Sequence, residues 1–347
     1  MPFALTNREC LTARLSALGD AILTTGVLRY WHERAGLSFH VLTRSALAPV
    51  FRNHPAVRRI ISVEEKDMSG RAWLVFCRNL RQNHGHLPFI DLHGSLRTRL
   101  LRLMWPAQVR SYRKYSLERR LFLATRHPIL SARLKRHNVP QRYARALESA
   151  PPPPELLRPE IFLHAEEHGE AGHILADLGY ECPVAVHPYA THPAKTPRPA
   201  VWREAIRQLE KAGYPVIVIG RNPAPLLPGT KEDLTGRTDL RMTAAILARC
   251  RCLITGDSGP MHLATAVGTP VAAFFGPTTA EWGLYPSGPH DEVDQIPCPD
   301  APCSLHGQNI CVRGHACMTS LSPEHILNVA RPLLENPSRL DDPFKES

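Results

Sequence analysis

Short apolar runs alternate with amphipathic stretches of about a dozen residues along this chain, and that alternation limits the fold more than any other feature. In the second half, strands are read at Pro183–His187, Tyr214–Gly220, Arg251–Gly256 and Thr269–Phe275, with helices over 199–212, 239–250, 258–267 and 323–335. In the first half, strands are read at Phe39–Thr43, Arg59–Val63, Trp73–Cys77 and Leu87–Asp91, with helices over 21–35 and 95–104. Strands separated by helices pair in parallel, because a tight hairpin cannot join them, and the helices then cover the sheet faces. The expected fold is therefore α/β, with doubly wound parallel sheets that take ligands at the carboxyl ends of their strands.

One punctuation mark divides the chain. Pro151, Pro152, Pro153 and Pro154 form an unbroken run, with Pro159 just beyond, and such a run favours a stiff extended connector. The charge changes at the same place: residues 1–150 carry 26 Lys and Arg against 9 Asp and Glu, whereas the rest carry 16 against 23. We read a first domain at 1–155, a second at 156–335 and a tail at 336–347; the 347 residues suffice for two cores. With 43% hydrophobic and 21% charged residues, the chain is neither a disordered polymer nor a small disulfide scaffold. No apolar run approaches the length of a membrane span. The opening MPFALTNREC lacks a basic start followed by an apolar run, so no secretory signal is expected and a cytoplasmic location is. The basic half suits an anionic partner; nucleic acid, a membrane surface and a phosphorylated glycolipid all satisfy that charge, as does a merely solvated arginine-rich surface.

Three places carry polar residues where a strand should meet a helix. In Ser16-Ala17-Leu18-Gly19-Asp20, Asp20 stands at a helix N-terminus, as a helix cap or as a carboxylate facing the ligand crevice. In Gly256-Asp257-Ser258-Gly259-Pro260-Met261-His262, Pro260 suits a first helical turn, and the free amides beside Ser258 and Gly259 suit an anion. The alternative is that Asp257 or Ser258 caps the helix and His262 is a core histidine. The third place is His187-Pro188-Tyr189-Ala190, followed by Lys195, a cation that could meet phosphate; Phe275-Gly276-Pro277-Thr278 closes the next strand. No P-loop and no Gly-x-Gly-x-x-Gly occurs, so phosphate binding would rest on helix ends and these side chains.

These residues carry a resemblance. RLSALGDAILTTGVLR at 14–29, DLHGSLRTRLL at 91–101, HPYATHPAK at 187–195 and the long segment 233–278 resemble glycosyltransferase family 9, the heptosyltransferases of lipopolysaccharide core assembly. The resemblance implies a GT-B architecture: two Rossmann-like domains with a cleft between them, the first for acceptor and the second for sugar nucleotide. It implies an inverting transfer of heptose from ADP-heptose to a lipopolysaccharide inner-core acceptor with no catalytic metal. Asp20 matches the family's general base, Lys195 its donor-phosphate lysine, and Asp257, Ser258, Gly259 and His262 its donor loop. Thr238 falls near the donor's base, and Thr278 is read as a further donor-site hydroxyl. There are departures: Thr196 and Pro197 follow the lysine, and the loop Arg221–Pro225 has no acidic residue for a ribose. A different nucleotide sugar, an epimerase, and a non-catalytic sugar-nucleotide or glycolipid binder are the alternatives.

In this light the basic half suits an anionic glycolipid, with Arg97, Arg99, Arg102 and Arg113 as acceptor-binding residues. Arg110–Arg120 could equally rest on the inner-membrane surface, giving peripheral contact on its cytoplasmic face, and no nucleic-acid partner is expected. Finally, Cys298, Cys303, Cys311 and Cys317 lie in a loop-rich segment, 297–318. Reduced cytosolic thiols can ligate metal, so a structural zinc or iron away from the reaction centre, with His306 and His315 as substitute ligands, stands beside four plain cysteines.

Overall fold

The computed structural model describes residues 5–335 apart from 306, 308–310 and 312, so the tail at 336–347 lies outside the described residues. The chain forms two compact units, one of residues up to Glu118 with Ile129–Phe162, the other of Arg119–Pro128 with the chain from Leu163 onward. The change of unit at 162/163 follows the prolines, of which Pro154 opens a short 3-10 turn to Leu157.

The first unit contains β1 (Glu9–Ala13), α1 (Leu18–Ala35), β2 (Ser38–Arg44), β3 (Val57–Val63), α2 (Gly70–His84), β4 (Phe89–Asp91), α3 (Leu96–Met104) and β5 (Val109–Ser111). Helices α4 (Ser116–Thr125), whose residues from Arg119 on belong to the second unit, α5 (Pro128–Lys135) and α6 (Val139–Ala144) follow. The five strands are parallel in the order β3-β2-β1-β4-β5, which places the reversal of winding between β1 and β4. The first sequence strand, for which no bounds could be read, is β1. Trp73–Cys77, expected as a strand, lies instead within α2. The reason is period: Trp73, Cys77 and Leu80 are buried at helical spacing, while Leu74 and Val75 between them are exposed.

Helix α1 is buried continuously from Ala21 to Leu28 and ends at Gly36 in the left-handed region. It presses on the chain that leaves the prolines. Thr25 accepts the Glu160 N–H at 2.9 Å, and a side chain at Gly26 would collide with the Arg158 and Leu157 carbonyls. Gly26→Ala should therefore cost about 3 kcal/mol, since backbone cannot yield as a side-chain tip does; a urea midpoint unchanged from wild type would show that the contact is soft.

The second unit contains α7 (Ala165–Asp177), β6 (Val184–His187), α8 (Pro199–Lys211), β7 (Val216–Val218), α9 (Leu240–Ala248), β8 (Cys252–Gly256), α10 (Gly259–Ala266) and β9 (Val271–Phe275). It closes with β10 (Glu292–Gln295), α11 (Ala316–Thr319) and α12 (Pro323–Glu335). Its strands are parallel in the order β10-β9-β8-β6-β7, with the reversal between β6 and β8. Every residue of β6, β8 and β9 is buried, as a sheet covered on both faces requires. Helix α8 buries Trp202, Ala205, Ile206 and Leu209, a single stripe against Val184, Val218 and Phe274. Both units are Rossmann-like doubly wound sheets, as the alternation implies. Among the described residues no helix is long and apolar enough to cross a membrane.

Candidate functional site

In the first unit, polar groups collect where β1 and β4 end, at the reversal of winding. Asp20 is in the first turn of α1 but is not its N-cap: that residue is Ala17, whose side chain makes no capping bond. The Asp20 carboxylate instead forms an ion pair with Arg14 and accepts a hydrogen bond from the Tyr143 hydroxyl at 2.6 Å. Arg14 is almost wholly buried, donates to the Leu92 carbonyl at 2.6 Å and stacks over the Tyr143 ring at 5.2 Å. Burial works against its charge, but Asp20 and the neighbouring tyrosines more than offset it, and its pKa moves up. Burial, reinforced by the charge of Asp20, pushes the Tyr143 phenol well above its usual range although Arg14 acts the other way, so the hydroxyl remains a donor.

At the end of β4, Asp91 is fully buried and accepts the N–H groups of His93 and Gly94, each at 2.9 Å. That turn seats His93 beside the same charges. Burial, with Arg14 and Lys114 nearby, pushes its imidazole down to about 3, so the ring is neutral.

In the second unit, β6 and β8 end beside one another. Lys195 reaches Asp257 at 2.6 Å, and the Thr278 hydroxyl donates to the same carboxylate oxygen at 2.6 Å. Asp257 is thus engaged by side chains from two other loops and is not the N-cap of α10. Ser258 is the N-cap of α10 by position, yet its hydroxyl pairs with Thr255 at 3.1 Å and caps no amide. The first amides of α10, beginning at Gly259, are left for another acceptor, as an anion-binding helix end requires. His262 is buried one turn in, behind Pro260. Gly256 has no room for a side chain because the Lys195 carbonyl lies against it.

Residues 73–296 match the family model described as glycosyltransferase family 9 (heptosyltransferase). The chain belongs to this family. It is 32% identical over 110 residues to lipooligosaccharide heptosyltransferase 2 of Campylobacter jejuni, covering 30% of this chain and 32% of the relative. The chain thus spans about a third of that relative's length. With lipopolysaccharide heptosyltransferase 1 of Pseudomonas aeruginosa, identity is 26% over 314 residues, covering 84% of this chain and 85% of the relative. The structure of E. coli ADP-heptose lps heptosyltransferase II superposes with a TM-score of 0.67 at 18% identity, covering 94% of this chain and 98% of that one. The fold is therefore GT-B, as the resemblance implies.

The other residues expected to act in this family 9 chain are placed less uniformly. Thr238 precedes α9, and its hydroxyl pairs with Thr243 at 2.8 Å rather than with the Lys195–Asp257 group. Of the arginines, Arg102 lies 3.5 Å from Asp91, Arg113 is paired with Glu118, and Arg97 donates to the Met68 carbonyl; Arg99 is exposed on α3. The groups that sequence reasoning missed are Arg14, Tyr143, His93 and Asp91. Arg14 and the Asp-x-His-Gly turn sit inside motifs already noted, but nothing local announces Tyr143, which is 123 residues from Asp20.

The cysteine segment departs from expectation in position. Cys298, Cys303, Cys311 and Cys317 are free thiols; burial, reinforced by the neighbouring cysteines, raises Cys303 and takes Cys317 to about 11. Among the described residues no group of three or more His, Cys, Asp or Glu side chains is arranged to hold a metal ion, and His306 lies outside the described residues. The thiols as placed do not form a chelate. Nor is the segment remote from the site, because Gly307 packs directly on the Lys195 side chain.

Three buried histidines link the fold to pH. Burial lowers His54 and His187 to about 4 and His93 to about 3. Their folded values lie below the unfolded value of about 6.5, so their contribution is complete above pH 6.5 and is lost as pH falls through the window to about 4. Unfolding free energy measured in urea should fall between pH 6.5 and 4.5, and His187→Gln should reduce that slope; a flat profile would contradict the buried neutral rings.

Proposed function

We propose that this chain is an inverting, metal-independent glycosyltransferase that moves a heptose from ADP-heptose to a lipopolysaccharide inner-core acceptor. The observation that carries the reading is Asp20: a carboxylate in the first turn of α1, outside the N-cap position, that is held by Arg14 and Tyr143. In the proposed step, Asp20 takes the proton of the acceptor hydroxyl as its oxygen bonds to the anomeric carbon and the bond to ADP breaks on the opposite face. Charge grows on the leaving diphosphate, and Lys195 with the first amides of α10 stabilises it. The names of the matched relatives, both heptosyltransferases of lipooligosaccharide or lipopolysaccharide, support the sugar and the acceptor class. The E. coli structure's name supports ADP-heptose.

The acceptor side draws on the first unit's charge, with Arg97 and Arg99 both exposed on α3. Leu96 and Leu103 share that helix face and are 82% and 86% exposed, which supports contact with an anionic membrane surface from the cytoplasmic side. Incubation with a panel of nucleotide sugars, with and without core glycolipid, tests the function. ADP-heptose should be consumed only with the glycolipid present, giving the opposite anomeric configuration, and activity should survive exhaustive EDTA because cationic side chains and amides meet the diphosphate. Consumption of another donor, or a need for magnesium restored by titration, would refute the respective part.

A further inference from the structure

The cysteine segment touches the lysine at the centre of the second unit's site. Gly307 is buried with φ of +81°, and a Cβ there would lie 2.6 Å from Lys195 Cε and 2.7 Å from its Cγ. Lys195 therefore runs across the face of a glycine, with no space for a larger residue. Gly307 is itself seated: its N–H donates to the Ser304 hydroxyl, and the Ser304 carbonyl accepts the Trp282 indole N–H at 3.1 Å. Trp282 and Ser304 are both buried. One residue earlier, the Cys303 N–H donates to the Pro277 carbonyl at 3.2 Å, beside the Thr278 that holds Asp257. Further along, Cys317 and Met318 pack against Gly276, where a Cβ would meet their sulfurs at 2.8 and 2.7 Å.

We propose that Gly307, seated by Ser304, is a positioning residue for Lys195: it holds the lysine stem where Nζ meets Asp257, and so sets the affinity of this site for the diphosphate of a sugar nucleotide. This role rests on the donor reading given above. Flexible lysine side chains lose much rotamer freedom when they bind, and a stem confined beforehand by a close backbone surface has less to lose. The loops of Asp257 and Gly307 then act together on one cation, and Ser304 and Gly307 belong to the site.

The test compares three variants. Gly314 also has a positive φ, +57°, but nothing lies within 4 Å of a Cβ built there, so Gly314→Ala carries the backbone strain without the contact. Gly307→Ala should increase acylation of Lys195 by a lysine-directed reagent, read by mass spectrometry, and weaken ADP binding by about tenfold, the loss expected for one charge-assisted contact. Gly314→Ala should match wild type in both. Ser304→Ala, which loosens the seat without steric strain, should move both readouts in the same direction, and it serves if Gly307→Ala does not fold. Equal behaviour of the Gly307 and Gly314 variants, with Ser304→Ala like wild type, would overturn the proposal. Failure of the wild-type protein to bind ADP, with Gly307-specific labelling intact, would instead overturn the donor reading and with it the link to affinity.

Discussion

Turnover of the Asp20→Asn variant is expected to fall by about 100-fold or more, the range for loss of a general base. Asparagine keeps the shape and can still accept the Tyr143 hydrogen bond, but it cannot take the acceptor's proton. The structure adds a second consequence. Because Asp20 pairs with a buried guanidinium and is not the N-cap of α1, the neutral amide leaves Arg14 without its counter-charge. Removing one member of a fully buried pair costs about 3–5 kcal/mol; Asp20 keeps 30% side-chain exposure, so solvent screening should hold the cost to about 1–2 kcal/mol. The rate loss should therefore be measured well below the variant's lowered midpoint. Tyr143→Phe separates the roles, since it removes one orienting bond and leaves the carboxylate, and should cost far less in turnover. An Asp20→Asn protein that turns over near the wild-type rate would reduce Asp20 to a partner of Arg14.

The second large effect is expected at Lys195. Lys195→Ala should lower kcat/KM by about 100-fold or more, comparable to loss of a donor aimed at developing negative charge. It should also destabilise the fold, because Asp257 is only 8% exposed at its side chain and would retain Thr278 alone among its two side-chain partners. The double variant Lys195→Ala with Asp257→Asn removes both charges and should recover much of the stability without recovering catalysis. That divergence is the informative readout. If activity returned together with stability, the lysine would be a structural counter-ion and the phosphate role would fail.

Local pattern carries far in this molecule. In the second unit β6, β8 and β9 are short buried runs and lie inside the bounds read from sequence, because a parallel strand covered on both faces needs continuous apolar residues. Pro260 marks the start of α10 for a similarly local reason: it lacks the amide that a first turn leaves unbonded. Trp73–Cys77 shows the limit. Five apolar residues in a row have no internal period, and only the packing of Trp73, Cys77 and Leu80 on one face decides for helix.

The same division holds for chemistry. The positions of Asp20, Lys195 and Asp257 at strand-to-helix junctions were legible because short motifs bring their own turn and helix-start residues. What each carboxylate does was not. Both are acids at helix starts, where capping is a sound local expectation, yet Asp20 meets Arg14 of the same motif together with the distant Tyr143, and Asp257 meets Lys195, 62 residues away. The cysteine segment makes the point again, since its composition suggested an independent staple whereas its backbone lies on the Lys195 stem. Sequence alone determined the class of sheet, the succession from β6 through α8, β7, α9, β8 and α10 to β9, and the family, because these depend on period, turn chemistry and contiguous motifs. Tertiary structure alone decided that Tyr143 joins Asp20 and that Lys195 meets Asp257, because burial makes an unpaired charge so costly that packing in space selects the partners that sequence distance hides.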